Sequence, residues 1–267
     1  MSSVAVALSD GMTIARRNLI KIKRVPDLLV FTTLSPIMFV LLFAYVFGSS
    51  ISVPGVSYRE FLIAGIFVQT AVFGASWTGA GLAEDIQKGI IDRFRTLPMA
   101  RSAVLVGRTT SDVAINMISL VVMSLTGLVV GWRIHSSFGE AALGFALLLL
   151  FAYALSWMMA VVGLWIRSPE LFNNASFIVI FPLTFIANTF VPSSNLPTPL
   201  KEIAEWNPIS AITQALRELF GNTNPLLPAP DAWPLRHSVL MSLVWTAIFL
   251  LIFVPLAIRR YRKAVSR

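Results

Sequence analysis

Residues 84–108 read EDIQKGIIDRFRTLPMARSAVLVGR, an island of five basic and three acidic side chains between two long apolar runs. So many ionisable groups cannot sit in hydrocarbon without pairing or water. If the flanking runs cross a membrane, the island must lie on one of its faces.

Composition supports that condition. Of 267 residues, 56% are hydrophobic and 13% charged, and the mean hydropathy is +0.77. Soluble domains carry about 25% charged residues. The sequence therefore predicts an all-α polytopic membrane protein. Its net charge of +8 is a nucleic-acid signal in a soluble chain, but here it is the excess of Lys and Arg that marks the cytoplasmic side, and no nucleic-acid partner is expected. With no cysteine, disulfides, thiol catalysis and Cys-ligated metals are excluded. His135 and His237 are far apart in sequence, so no metal site is predicted. Residues 1–27 are too polar for a cleavable signal peptide.

Working outward from the island, six apolar runs approach the ~20 residues that a span requires: 28–48, 61–82, 104–131, 141–165, 172–190 and 239–258. Sixteen cations fall on one side. They are Arg16, Arg17, Lys21, Lys23 and Arg24 before the first run; Lys88, Arg93, Arg95, Arg101 and Arg108 in the island; Arg167; and Arg259, Arg260, Arg262, Lys263 and Arg267 in the tail. The other side holds Arg59, Arg133, Lys201, Arg217 and Arg236. This asymmetry predicts a multi-pass protein of the plasma (cytoplasmic) membrane with both termini inside. The expected division is an N-terminal segment, 1–27, a six-span domain, 28–258, and a basic tail, 259–267. An interfacial helix is expected over 9–27, with Met12, Ala15, Leu19 and Ile22 on its apolar face and its cations toward anionic lipid.

Local patterns refine this picture. Leu82, Ile86, Ile90, Phe94 and Leu97 recur every three or four residues, which predicts an amphipathic helix over 84–97 stopped by Pro98. Within the outer segment 191–236, Thr198-Pro199 and Asn207-Pro208 each read as an N-cap followed by proline in the first turn. Ile209, Ile212, Leu216, Leu219 and Phe220 then recur at helical spacing before Gly221. Two short re-entrant helices are expected within 198–221, and an extended, proline-rich connector over 222–234. Ala71, Ala75, Gly79 and Ala83 form a small-residue stripe in the second run, and Gly127 and Gly131 a GxxxG pair in the third; both permit close helix packing.

Signals of catalysis are missing. No GxxxxGK[ST], HExxH or GxSxG occurs, so the chain is not expected to be an enzyme. Asp112 is the clearest ionisable residue within a span. It follows Arg108 by four positions, and an ion pair along the helix is the simplest account. Gln69, Asn116, Asn173, Asn174 and Asn188 are polar positions that line a path or bond across helices.

Taken together, these features resemble the permease subunits of type-2 ABC exporters, the daunorubicin-resistance-like group. The resemblance spans nearly the whole chain. It rests on the basic helix before six spans and on the island pattern Glu84, Lys88-Gly89, Arg93, Arg95, Leu97-Pro98 and Arg101. It rests also on the order Phe190-Val191-Pro192, Leu196-Pro197, Leu200, Ile203-Ala204, Asn207-Pro208 and Ala215-Leu216-Arg217. It implies that 84–97 is a coupling helix seated in a separate ATPase subunit, present in two copies. It also implies a second permease, identical or related, and an outer gate around Pro197, Asn207, Pro208 and Arg217. ATP and Mg would then sit on the ATPase, with no cofactor on this chain. The expected substrate path runs past Gln69, Phe73, Trp77, Asn173, Phe177, Phe181 and Asn188, with Phe67 and Phe185 as further aromatic candidates. Such a path suits an amphipathic drug or lipid. The alternatives are a permease for a lipid-linked glycan or cell-envelope lipid, and, from another class, a stand-alone ion-coupled carrier.

Overall fold

The computed structural model describes residues 26–47, 57–90, 103–166, 168–223 and 230–265, and among these the regular structure is helical. Helix α1, Pro26–Leu41, continues as a π-helical stretch, Leu42–Phe47. It is followed by α2 (Tyr58–Gln87), α3 (Ala103–Val130), α4 (Phe138–Trp165) and α5 (Pro169–Phe185). The short helices α6 (Thr198–Trp206), α7 (Pro208–Leu219) and α8 (Trp233–Arg236) precede α9 (Ser238–Val265).

Among the described residues, four segments are long and apolar enough to cross a membrane: Tyr58–Gln87, Val104–Val130, Phe138–Trp165 and Ser238–Arg262. At 1.5 Å per residue the 30-residue α2 is about 45 Å long, longer than the ~30 Å hydrocarbon core. The first and fifth predicted spans correspond to shorter apolar helices, Leu34–Val46 and the 17-residue α5.

Helix α2 is the hub, packing on α3, α4, α5 and α7. Its small-residue stripe explains how it comes so close to α4: Ala71, Ala75, Gly79 and Ala83 are all buried. A Cβ added to Gly163 of α4 would lie 2.3 Å from the Gly79 carbonyl oxygen, and one on Gly79 would meet the Phe172 ring at 2.3 Å. The stripe therefore serves packing within the chain. In the GxxxG pair only Gly127 does, a Cβ there lying 3.2 Å from Trp132 Cε3 and 3.5 Å from Ile63 Cγ2. Gly131 lies beyond α3 at φ +105°, with Gly131 N–H donating to Leu128 O (3.3 Å) and Trp132 N–H to Gly127 O (2.9 Å). This pair of bonds is a Schellman stop, so Gly131 terminates α3.

Several boundaries follow from backbone accounting. Ser137 and Glu140 form a capping box at the start of α4. Helix α5 ends at Phe185, short of the expected residue 190, because its last carbonyls find partners off the helix. Leu183 O accepts from Asn207 Nδ2 (2.8 Å) and Thr184 O from Thr189 Oγ1 (3.0 Å). The expected N-cap at Thr198 moves to Pro197, whereas Asn207 caps α7 as expected, its side chain accepting from Ile209 N–H at 2.8 Å. Gly221, at φ +70°, closes α7 with a second Schellman pair, Gly221 N–H to Glu218 O and Asn222 N–H to Arg217 O. Helix α8 interrupts the expected extended connector, and α9 carries the basic segment onward as helix to Val265.

One correction bears on function. The helix expected over 84–97 does not begin at Glu84: that residue belongs to the last turn of α2. The chain breaks at Lys88, the C-cap, and at Gly89, whose φ is +64°. Periodicity alone could not locate this break, because Leu82, Ile86 and Ile90 keep the apolar repeat across it. Arg93, Arg95, Leu97, Pro98 and Arg101 lie outside the described residues, as does nearly all of the interfacial helix expected over 9–27.

Candidate functional site

Helices α1, α2, α3 and α5 enclose a cavity of about 530 Å³. Six of the seven residues expected along the path line it: Gln69, Phe73 and Trp77 from α2, and Asn173, Phe177 and Phe181 from α5. On a helix, positions 69, 73 and 77 share one face, as do 173, 177 and 181; tertiary packing turns the two faces toward each other. Phe177, Phe181 and Phe185 form a ladder with centroid separations of 5.0 and 4.1 Å. The rings are half exposed, so this wall opens at the edge of the chain. The opposite wall is polar, with Ser76 of α2 and Asn116 and Ser119 of α3. Gly74 makes room for it, because a Cβ there would lie 2.2 Å from Asn116 Oδ1.

Two expected path residues lie elsewhere. Phe67 is buried in a cluster with Trp132, Phe145 and Phe220. Asn188 is buried near α7, where its N–H donates to Ser210 Oγ (3.0 Å) and its carbonyl accepts from Arg217 (2.8 Å). Ser76 and Gly74 gave no sequence signal, since small residues are common in spans, and Asn116 stood out only as one amide among several.

Beyond Trp77, toward the charged island, α2 and α3 are joined by polar groups. Arg108 Nη1 lies 3.5 Å from Asp85 Oδ2, and its Nη2 donates to the Trp77 carbonyl at 3.4 Å. Its guanidinium rests on bare Gly81, where a Cβ would lie 1.3 Å from Nη2. Asp112 accepts a hydrogen bond from Thr78 Oγ1. The ion pair expected between Arg108 and Asp112 is thus replaced by an Arg108–Asp85 pair, because α2 brings Asp85 alongside. Farther along, Glu84 accepts from Lys88 Nζ; that bond raises the lysine's pKa above its ordinary value.

At the other end of the bundle the expected gate residues gather around α7. Pro208 and Asn207 start it, while Pro197 starts α6, ahead of it in the chain. Arg217 is buried at 2% exposure. Its Nε donates to Phe61 O (3.0 Å), and its Nη2 to Asn188 O (2.8 Å) and Thr189 O (3.2 Å). The guanidinium carbon lies 3.4 Å from the Phe61 ring centroid. A cation counted as an outer-surface charge is therefore an internal clamp joining α7, α2 and the segment after α5.

These features define a polytopic helical membrane protein that holds an aromatic-walled cavity between its helices, with a charged break at one end. Residues 11–220 match the ABC-2 type transporter family, and the chain belongs to that family as the membrane permease subunit of an ABC exporter. It is 33% identical, over 97% of its length and 88% of the relative's, to the daunorubicin resistance ABC transporter permease protein DrrB1 of Streptomyces coeruleorubidus. It is 24% identical to the putative transport permease ycf38 of Porphyra purpurea, over 79% of this chain and 74% of that one. The probable doxorubicin resistance permease DrrC of Mycobacterium tuberculosis is also 24% identical, over 74% of this chain and 68% of its own.

Proposed function

We propose that this permease moves hydrophobic or amphipathic drug-like compounds out of the cytoplasm or inner leaflet, powered by a separate ATPase. The observation that carries this reading is the gathering of Gln69, Phe73, Trp77, Asn173, Phe177 and Phe181 around one cavity. Its support is the likeness to a permease whose name specifies daunorubicin resistance.

In this reading α1 to α5 and α9 make six crossings with both termini cytoplasmic, two permeases pair, and two ATPases bind ATP and Mg beneath them. The segment 84–101 is the contact with the ATPase. The break at Lys88-Gly89 lets the polypeptide leave the axis of α2 where this segment begins. ATPase closure pushes on this segment. The force passes into α2 through the Arg108–Asp85 tie to α3 and reaches the cavity wall at Trp77 and Phe73. The basic side chains of Arg93 and Arg95 pair with acidic groups on the ATPase.

The test is co-purification from native membranes followed by reconstitution. A stoichiometric ATP-binding subunit and ATP-dependent efflux are expected. The double reversal Arg93→Glu/Arg95→Glu should uncouple hydrolysis from transport while the spans stay folded, and normal transport in that variant would sink the proposal. Export of a lipid-linked glycan, with no drug efflux, would instead favour the envelope-lipid alternative.

A further inference from the structure

The last two turns of α9 carry Arg259, Arg260 and Arg262, and α9 holds no Asp or Glu from Ser238 to Val265. The ion pairs among the described residues are Lys88–Glu84, Arg108–Asp85, His135–Glu60 and Lys201–Glu205, so none of them neutralises these arginines. Their neighbour Tyr261 is 3% exposed and clusters with Leu82 of α2, Leu105 of α3 and Trp157 of α4. That anchor fixes the rotation of α9, and its contact with Leu82 puts this end of the helix on the membrane side of the charged island. Arg259 and Arg262 are sent outward, where both are exposed. Pro255, Ile252 and Leu251 are exposed on the same face, since steps of three, four and seven residues return to it. Beside this stripe, Arg260 places its guanidinium carbon 4.9 Å from the ring centroid of Trp165, the last residue of α4, itself 63% exposed. A tryptophan open at a span end sits at headgroup level, and its ring holds the Arg260 charge there.

We infer that this face of α9, together with Trp165 of α4, is a binding site for one anionic phospholipid in the leaflet on the side of the charged island. The phosphate lies between the Arg259 and Arg262 guanidiniums, which suit paired hydrogen bonds to its oxygens. The acyl chains run along Pro255, Ile252 and Leu251. From Ile252 to Arg259 the helix rises about 10 Å, the depth over which a lipid passes from hydrocarbon to headgroup. An acidic segment of a protein satisfies the arginines but leaves the apolar stripe bare, and free phosphate does the same. A neutral lipid covers the stripe but leaves three cations uncompensated. The site shares no residue with the cavity, so it holds lipid as a fixed partner of the bundle and not as cargo. Its occupancy does not depend on whether the chain recruits an ATPase.

The test uses the full chain in detergent micelles, titrated with dioleoyl phosphatidylglycerol or dioleoyl phosphatidylcholine and read by native mass spectrometry as lipid retained per chain. One phosphatidylglycerol per chain should be held roughly thirtyfold more tightly than phosphatidylcholine, about fivefold for each of two cations. Arg259→Gln/Arg262→Gln should bring the two lipids near parity, with the melting temperature in lipid-free detergent unchanged because both side chains are exposed. Arg260→Lys should weaken phosphatidylglycerol severalfold, since an ammonium cannot lie flat on Trp165, and Trp165→Ala should do the same. Arg16→Gln/Arg17→Gln removes as much charge from the N-terminal segment and should leave the preference intact. Equal losses in the two double variants, the mark of a general charge effect, overturn the inference. So does equal retention of both lipids by the unaltered chain. Millimolar inorganic phosphate should not displace the lipid; displacement also overturns the inference, because the stripe would then contribute nothing.

Discussion

Gly163 of α4 and Gly79 of α2 meet backbone to backbone, so close that a Cβ on Gly163 would lie 2.3 Å from the Gly79 carbonyl oxygen. This contact sets the crossing of the two most buried spanning helices and holds α2 in the orientation that turns Phe73 and Trp77 toward α5.

Gly163→Ala should therefore force the helices apart, at a cost of about 1–3 kcal/mol typical of overpacking. Gly139→Ala, with nothing within 4 Å of the added carbon, should be neutral or slightly stabilising on helix propensity. Thermal unfolding of both variants in detergent checks the contrast.

Arg217 holds three carbonyl oxygens with a planar fork. Arg217→Lys should rescue little, because an ammonium cannot span those acceptors or lie flat on the Phe61 ring. A loss of about 2–4 kcal/mol is expected for Arg217→Ala, from buried charge-assisted bonds left unmade. Melting temperatures that match the unaltered chain would remove the clamp from this account.

Asn207 performs two tasks, accepting from Ile209 N–H and donating to Leu183 O. Asn207→Asp should keep the cap and lose the tie to α5, while Asn207→Ala loses both and costs about 1–2 kcal/mol. Hydrogen exchange at the start of α7 and the end of α5 separates the effects: the Asp variant should loosen only the latter.

Gly89 has a left-handed backbone (φ +64°), and among the described residues nothing lies within 4 Å of an added Cβ, so a substitution there strains the turn. Gly89→Val should misdirect the segment that follows, at roughly 1–2 kcal/mol. Transport should fall while ATPase binding and the melting temperature change little. Gly89→Asn should be milder, since asparagine tolerates this conformation. Substrate-stimulated ATP hydrolysis is the readout.

Asp112→Asn should leave ATP-driven efflux intact, because an amide oxygen can still accept from Thr78. Loss of transport together with its pH dependence would favour a proton-coupled carrier and count against the ATPase-driven reading.

Most spanning elements were legible in the sequence. The runs 61–82, 104–131, 141–165 and 239–258 correspond to α2, α3, α4 and α9, because burial in hydrocarbon demands length and apolarity and little else. Asn207 and Gly221 were also readable, since a side-chain cap and a left-handed stop are local chemistry. The break at Lys88-Gly89 was not, because the apolar repeat keeps its register through a single glycine turn.

What the sequence by itself determined is the class of protein: helices that cross a membrane, a charged island between two of them, and short helices before the last, one of them capped by Asn207. Only the tertiary structure decided that Arg108 pairs with Asp85 and leaves Asp112 to Thr78, that Arg217 turns inward, and that Gly74 yields its space to Asn116. The reason is physical. Solvation and propensity act on each residue separately and survive in a linear reading. The partner of a buried polar group depends on which helix lies beside it, and here that is set by glycines whose meaning appears only once two backbones touch.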